Sequence, residues 1–286
     1  MGPIPELPPI LYEDVVRAAL REDLGGAGDL TSAAVVPVDL TTTGQVLVRA
    51  AGRVAGLRAA CRAFELLDPE ARVDPIAGDG ADVEPGTVIA EVTGRAQALL
   101  SAERTAMNLL GHLSGVATLT REVTRALQGL PTRVVCTRKT MPLLRALEKH
   151  AVRVGGGANH RFGLDHAVLI KDNHRAIAGS AVEAVKRARA HVGHLVKIEV
   201  EIEDTADLEG VLELGVDAVL LDNMTLEKLT QAVAIVAGRA LTEASGGVTA
   251  ERARAIAETG VDLISIGRLT HSAPSLDVSF ELSPRR

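Results

Sequence analysis

The sequence predicts an α/β protein: a small α+β domain followed by a barrel-like parallel sheet of six strands. Three observations predict it. After Pro131, short apolar runs (RVVCT, HAVLIK, KIEVEI, DAVLLD, ALTEAS, LISIG) alternate with helical stretches, the rhythm of βα units in a parallel sheet. Glu201, Asp222 and Glu243 stand at or near the C-terminal ends of three successive runs, and each gap is 21 residues, room for one strand, one loop and one helix. Before Pro131 the runs QVLVRA, RVAG, ARVDPIA and TVIAEVTG are short, alternating and separated by Gly, Pro and Asp, the texture of antiparallel strands.

The elements follow in order. YEDVVRAALREDL (12–24) carries Val15, Val16, Ala19 and Leu20 on one helical face, and GGAGDLTS breaks that helix. From Gly44 to Thr93 the alternating runs make a small antiparallel sheet, LRAACRAFELL is a helix upon it, and EPGT (84–87) is a tight turn. Residues 101–129 form a long helix, opened by Ser-x-Glu at 101–103 and closed by Gly129 and Pro131, with Gly111 and Gly115 marking a kink or break. Six βα units between 133 and 267 suggest a barrel-like sheet, short of the usual eight. The tail SLDVSFEL (275–282) alternates again and is expected to return to the first domain.

Composition excludes several classes. With 286 residues, 47% apolar and 24% charged, the chain has the make-up of one large or two ordinary packed domains. The net charge of −6 opposes generic binding to nucleic acid or anionic membrane, so any anion site must be a local cluster of positive charge. Aromatic residues are 1%, too few for base-stacking platforms. Cys61 and Cys136 lie in no metal-ligand spacing, which argues against a disulfide scaffold and for a cytoplasmic location. MGPIPELPPI has no signal-peptide pattern, and no apolar stretch is long enough to span a membrane. The H-E-x-x-H, G-x-S-x-G, P-loop and G-x-G-x-x-G motifs are all missing from the sequence.

The chemistry gathers at strand ends. In KIEVEI, Ile198, Val200 and Ile202 share one face, whereas Lys197, Glu199 and Glu201 share the other and point into a barrel interior, where charge needs partners. A solvated edge strand would explain this run alone, but its neighbours repeat the pattern. One run ends in Arg138 and Lys139, the next in Lys171, Asp172 and His174, and later ones in Asp222, in Glu243, Ser245, Gly246 and Gly247, and in Gly267. Parallel barrels build their sites at such ends. Arg138, Lys139, Arg161, Lys171 and His160 suit carboxylates or phosphates. Glu201 and Asp222 beside them suit Mg²⁺ or sugar hydroxyls. GGGANHR (155–161) lets a loop approach a ligand closely, and SGG (245–247), with Thr249 as N-cap of the next helix, offers N–H groups to a phosphate. The residues thus describe a pocket for a phosphorylated sugar and a small acidic molecule.

GGGANHRFGLDHAVLIKDNH, CTRKT, KIEVE, AVLLDNM, EASGG, ISIGRLTHSAPSLDVS and ERTAMNLLGHLSGVAT resemble the quinolinate phosphoribosyltransferase family, over nearly the whole chain from GDLTS at 28–32. His166 departs from the Asp common there. The resemblance implies an N-terminal α+β open-faced sandwich (1–114, rejoined by the tail 275–286) and a C-terminal incomplete, six-stranded α/β barrel (115–274) carrying the active site. It also implies a Mg²⁺-dependent pentosyltransferase that converts quinolinate and 5-phosphoribosyl-1-pyrophosphate to nicotinate mononucleotide, pyrophosphate and CO₂ in NAD biosynthesis.

By the same resemblance Arg138, Lys139, His160, Arg161 and Lys171 bind quinolinate, flanked by Thr137. Arg104 reaches the site from the partner subunit of a homodimer. Lys139, Glu201 and Asp222 serve catalysis, the two acids also holding Mg²⁺, directly or through water. Ser245, Gly246, Gly247 and Gly267 cradle phosphate. Two rivals remain at this point: a phosphoribosyltransferase for another acceptor, and a barrel that binds a phosphorylated metabolite without turning it over.

Overall fold

The computed structural model describes residues 4–282. In chain order its helices are α1 (Glu13–Leu24), α2 (Leu30–Val35), α3 (Leu57–Leu67), α4 (Ala96–Ala126), α5 (Arg145–Val154), α6 (Asp172–Ala178), α7 (Ala181–His191), α8 (Leu208–Leu212), α9 (Leu226–Val236), α10 (Ala250–Ala257) and α11 (Arg268–His271). Its strands are β1 (Thr41–Val48), β2 (Gly52–Arg53), β3 (Arg72–Pro75), β4 (Asp82–Val83), β5 (Val88–Arg95), β6 (Arg133–Val135), β7 (Val168–Ile170), β8 (Ile198–Ile202), β9 (Ala218–Asp222), β10 (Leu241–Ser245), β11 (Leu263–Ser265) and β12 (Val278–Leu282). The chain gathers into two compact units, one of residues 1–121, 140–156 and 269–286, the other of residues 122–139 and 157–268. Residues 1–3 of the proline-rich start and 283–286 of the tail lie outside the described residues.

The first unit is built on an antiparallel sheet of order β12-β1-β5-β3. Alternation along β1 buries Gly44, Val46 and Val48 in turn, the period of a strand with one face covered. Helix α3 supplies the cover, burying Leu57, Ala59, Ala60, Cys61, Ala63 and Phe64. With so few aromatic residues, the Phe64–Phe280 ring pair at 5.1 Å stands in a core made mainly of Ala, Val, Leu and Ile. The N–H groups of Gly56 and Leu57 that open α3 donate to the Asp79 carboxylate at 2.9 and 3.1 Å, a cap supplied from a distant turn. Both cysteines are buried and outside any disulfide, and burial pushes the Cys61 thiol up to about 12. Among the described residues no helix is long and apolar enough to cross a membrane.

Two local expectations fail here for physical reasons. Helix α4 begins at Ala96, not at Ser101: the apolar AQALL run already has helical spacing, and the Ser101 hydroxyl donates to the Gln97 carbonyl (2.8 Å) and to Asp29 (3.1 Å) from inside the helix. Nor do Gly111 and Gly115 break α4, which is continuous to Ala126. They admit the returning chain instead. Leu276 N–H donates to the Gly111 carbonyl at 2.9 Å, and a Cβ on Gly115 would overlap the Pro274 carbonyl oxygen. An exposed helical Gly→Ala substitution ordinarily stabilises by about 1 kcal/mol. Gly115→Ala is expected to destabilise by about 2–4 kcal/mol instead, through overpacking against backbone. Denaturant unfolding checks this, and a raised midpoint would contradict it.

The second unit is a six-stranded parallel sheet of order β6-β11-β10-β9-β8-β7, with β6 and β7 as its two edges, an incomplete barrel. Every apolar run read from the sequence after Pro131 forms one of these strands. Ile198, Val200, Val219 and Ile264 are fully buried in them, and helices such as α7 and α9 bury Val185, Leu229 and Ala232. Asp217 ties neighbouring strands, accepting from Ile198 N–H at 2.8 Å and from Lys197 Nζ at 2.6 Å. Lys197 therefore sits outside β8 at the exposed end of that pair, not on the inner face expected for it.

Candidate active site

The C-terminal ends of the parallel strands and the loops that follow them collect charged side chains, while the strand bodies are mostly buried and apolar, with Glu199 and Glu243 as buried acidic exceptions. The loop after β6 turns on Thr137, whose Oγ1 accepts from Lys139 N–H at 3.0 Å. Arg138 is half-buried there and Lys139 exposed. Ala158 and Asn159 lie against the end of β6, Ala158 in a parallel bridge: Ala158 N–H donates to the Val134 carbonyl (2.8 Å), Cys136 N–H donates to the Ala158 carbonyl (3.1 Å), and the Cys136 thiol donates to Asn159 Oδ1 (3.3 Å). That anchoring fixes His160 and Arg161. Arg161 Nη1 donates to the Ala167 carbonyl at 2.7 Å. Burial, then the Arg138 guanidinium, holds the Arg161 pKa below its usual value, against the opposing pull of Glu199. The Nε atoms of Arg138 and Arg161 are both buried without a hydrogen-bond partner. Such donors suit a ligand oxygen.

Near the C-terminal end of β8, Glu201 is 7% exposed, and Lys171 Nζ stands 3.5 Å from its Oε2. Arg175, on α6, donates to the Glu201 carbonyl at 2.6 Å and holds the end of the strand. Asp222 ends β9, and Asn223 Nδ2 donates to its Oδ2 at 2.7 Å. Asn223 itself has φ 53°, the left-handed region that Asn tolerates, and its N–H donates to the Ser245 carbonyl at 3.0 Å. Gly246 (φ 96°) packs on that Asn223 side chain where any Cβ would overlap it. The acidic strand end and the glycine turn after β10 are thus one interlocked piece. Thr249 takes the N-cap position of α10, but its side chain does not cap the helix.

Beneath the rim lies a buried trio. His160 Nε2 is 2.8 Å from Glu199 Oε2 and 3.9 Å from Glu243 Oε1. Arg161 N–H donates to His160 Nδ1 at 2.7 Å, so the proton of the neutral ring is on Nε2 and donates to Glu199. One His and two Glu, with one ligand atom from each lying within 4.8 Å of the others, have the donor types of a metal site. The protonated Nε2, however, has no lone pair to offer one. Protons do the work of a cation instead: burial first, then the Glu199 carboxylate, push Glu243 up to about 7, against the lowering effect of His160 and the Ser265 hydroxyl.

The family profile "Quinolinate phosphoribosyl transferase, N-terminal domain" matches residues 29–114, and its C-terminal counterpart matches residues 116–281. The chain belongs to the quinolinate phosphoribosyltransferase family. Among curated family members, the probable nicotinate-nucleotide pyrophosphorylase [carboxylating] of Bacillus subtilis is 44% identical over 92% of this chain and 90% of its own. The nicotinate-nucleotide pyrophosphorylase [carboxylating] of Mycobacterium leprae is 41% identical over 94% and 96%. A crystal structure of NadC from Streptococcus pyogenes superposes with a TM-score of 0.94 at 39% identity, covering 98% of this chain and 99% of that one.

Of the residues expected from the family resemblance, the structure places Thr137, Arg138, Lys139, Lys171, Glu201, Asp222, Ser245, Gly246, Gly247 and Gly267 in the second unit at or just beyond strand ends, and His160 and Arg161 in the same unit on the loop before β7. Arg104 belongs to the first unit, on α4, with its side chain 69% exposed and Glu103 at 3.9 Å as its recorded partner. His160, grouped with the ligand-binding cations by sequence, turns both ring nitrogens to protein partners. Glu199 and Glu243 were not singled out as site residues. The inner face of β8 points to Glu199, and the 21-residue spacing points to Glu243.

Glu201 and Asp222 fit a hard cation. Both are oxygen donors on adjacent strands, and Asp222 lies two residues past Leu220, the register partner of Glu201. That offset is about 7 Å along the strand, which a hydrated Mg²⁺ can bridge.

Proposed function

We propose that the chain transfers the phosphoribosyl group of 5-phosphoribosyl-1-pyrophosphate to the nitrogen of quinolinate, giving nicotinate mononucleotide, pyrophosphate and CO₂, a step of NAD biosynthesis. The observation that carries this is the pair of half-buried guanidiniums, Arg138 and Arg161, whose unpartnered Nε donors stand on the same rim as the acidic ends of β8 and β9. Two fixed forks match a ligand with two carboxylates. The two carboxylates of the rim match a sugar that becomes positive.

Arg138 and Arg161, with Lys139 and Lys171, hold the dicarboxylate so that the pyridine nitrogen faces C1 of the ribose. The C1–pyrophosphate bond breaks as positive charge develops on the sugar, and Glu201 and Asp222 stabilise that charge. Glu201 and Asp222 would hold Mg²⁺, directly or through water, and the bound ion would supply positive charge for the pyrophosphate leaving group. The N–H groups of the Ser245–Gly247 turn, and the turn at Gly267, receive the 5′-phosphate.

The ring nitrogen bonds to C1 and the ring becomes cationic. The adjacent C2 carboxylate then leaves as CO₂, its bonding electrons drawn toward the cationic ring, and C2 takes up a proton. No side-chain nucleophile is needed, in keeping with two buried cysteines. Orientation accounts for much of the rate. We infer a cytoplasmic homodimer in which Arg104 of one subunit completes the site of the other.

The deciding assay supplies quinolinate or nicotinate with phosphoribosyl pyrophosphate and Mg²⁺ and follows CO₂ and mononucleotide. Quinolinate is expected to give the two products in equal amounts and nicotinate to give neither. Turnover of nicotinate alone, or binding of quinolinate without turnover, would replace this reading with one of its rivals.

A further inference from the structure

The acid–imidazole trio under the rim has no part in the steps above, and its geometry is unusual. Two carboxylates on alternate strands, β8 and β10, point into one layer of the barrel interior. Glu243 is 2% exposed and Glu199 9%. From the 157–161 loop His160 faces them, from β11 Ser265 faces Glu243, and β9 presents Leu220 in register beside Glu243. The imidazole can give one proton, and it gives it to Glu199. The Oε1 atoms of both acids are buried and unpartnered in hydrogen-bond terms. Two ionised carboxylates in that space would repel each other with no cation between them. Arg161 feels the Glu199 charge directly, and the Arg138 guanidinium acts on Arg161 in turn.

We propose that Glu243 is a positioning residue for the dicarboxylate subsite: as the neutral acid it donates to Glu199, keeps that carboxylate on His160, and limits the buried negative charge beneath Arg138 and Arg161 to one. The consequence is electrostatic. Two guanidiniums over a single negative charge keep a net positive charge for the incoming ligand, whereas over two negative charges they are neutralised before the ligand arrives. The consequence is also geometric, because His160 shares its backbone with Arg161, and a swing of Glu199 away from the imidazole releases the loop that aims Arg161. Glu243 touches neither substrate in this scheme and acts through Glu199. The position of its pKa near neutrality, set by burial and by Glu199, places the change of state within an accessible pH range.

This inference rests on the quinolinate reading and has its own test. The quinolinate KM and kcat are measured from pH 6 to 9 in the full-length enzyme with saturating phosphoribosyl pyrophosphate and Mg²⁺, for the wild type, Glu243→Gln and Glu243→Leu. Calorimetric binding of quinolinate is measured in parallel. In the wild type the quinolinate KM is expected to rise about tenfold as pH passes upward through the Glu243 transition, with kcat changing less. Glu243→Gln keeps the donor and cannot ionise, so its KM should stay near the wild-type acidic value and lose the alkaline rise. Glu243→Leu loses the donor, so its KM should be raised at every pH.

An alkaline rise that persists in Glu243→Gln, or a Gln variant as impaired as the Leu variant, overturns the proposal. The Gln variant decides the matter even if the Leu variant does not fold. A wild type that fails to turn over quinolinate sinks the functional reading instead, and the two failures are told apart by that one control.

Discussion

Replacing Arg161 by alanine is expected to reduce kcat/KM for quinolinate by on the order of 10²–10³-fold while leaving the melting temperature near that of the wild type. The side chain is held by one end: Nη1 donates to the Ala167 carbonyl, which fixes the plane of the fork. Its Nε is buried and unpartnered, and its charge is disfavoured by burial and by Arg138. A guanidinium kept in that state gains most when a carboxylate arrives, and truncating one side of such a charge-assisted contact costs about 2–5 kcal/mol. The fold does not depend on it in the same way, since removing a partly desolvated, like-charge-crowded cation relieves the empty protein.

Lys139→Ala is expected to behave similarly in turnover. It lies on an exposed loop end, so its loss disturbs no core. Arg161→Lys separates shape from charge, because a lysine keeps the charge and loses the planar fork, and it should recover little. Steady-state kinetics with quinolinate, alongside thermal melts of each variant, check these outcomes. Near-normal turnover in Arg161→Ala would remove the carboxylate clamp from the mechanism.

The sequence announced these cations more clearly than it announced what holds them. Apolar runs that end in charge locate strand termini, and strand termini in a parallel sheet share one rim. For that reason Arg138, Lys171, Glu201 and Asp222 could all be placed from the ends of apolar runs. The internal boundaries were harder. Ser101 and Glu103 have the pattern of a helix start, yet the preceding AQALL continues the helical period, and only tertiary contacts with Asp29 show Ser101 to be interior. Gly111 and Gly115 look like a break because a lone chain gives no sign that another segment will press on that face.

The trio of His160, Glu199 and Glu243 was invisible as a unit for a similar reason. Its members are contributed by a loop and two non-adjacent strands. The direction of the His160 ring is decided by a hydrogen bond from the next residue's N–H, which no residue pattern encodes. Burial turns Glu243 from an ordinary carboxylate into a group that titrates near neutrality, and burial is a property of the assembled barrel.

Arg104 supplies the second large effect. It is the member of the proposed ligand set that stands in the first unit, on a helix face where 69% of its side chain is exposed and where Glu103 at 3.9 Å is too distant to hold it. An arginine so placed adds little to stability, so Arg104→Ala should fold and melt like the wild type. It should nevertheless lose quinolinate turnover by about the same factor as Arg161→Ala, if its guanidinium is inserted into a neighbouring subunit's site.

Mixing makes the distinction. Lys171→Ala removes a cation that belongs to the barrel itself, 3.5 Å from Glu201. In a hybrid of the two variants, the Arg104→Ala subunit keeps its own Lys171 and receives an intact Arg104 from its neighbour, so one of the two sites is whole. Random re-pairing of equal amounts makes half the dimers hybrids, and about a quarter of wild-type activity should return from two nearly inactive proteins. If each subunit used its own Arg104, every site in every pairing would lack one of the two cations and nothing would return. Activity measured after subunit exchange, with exchange verified by native mass spectrometry of differently tagged chains, therefore reads directly whether the site is shared.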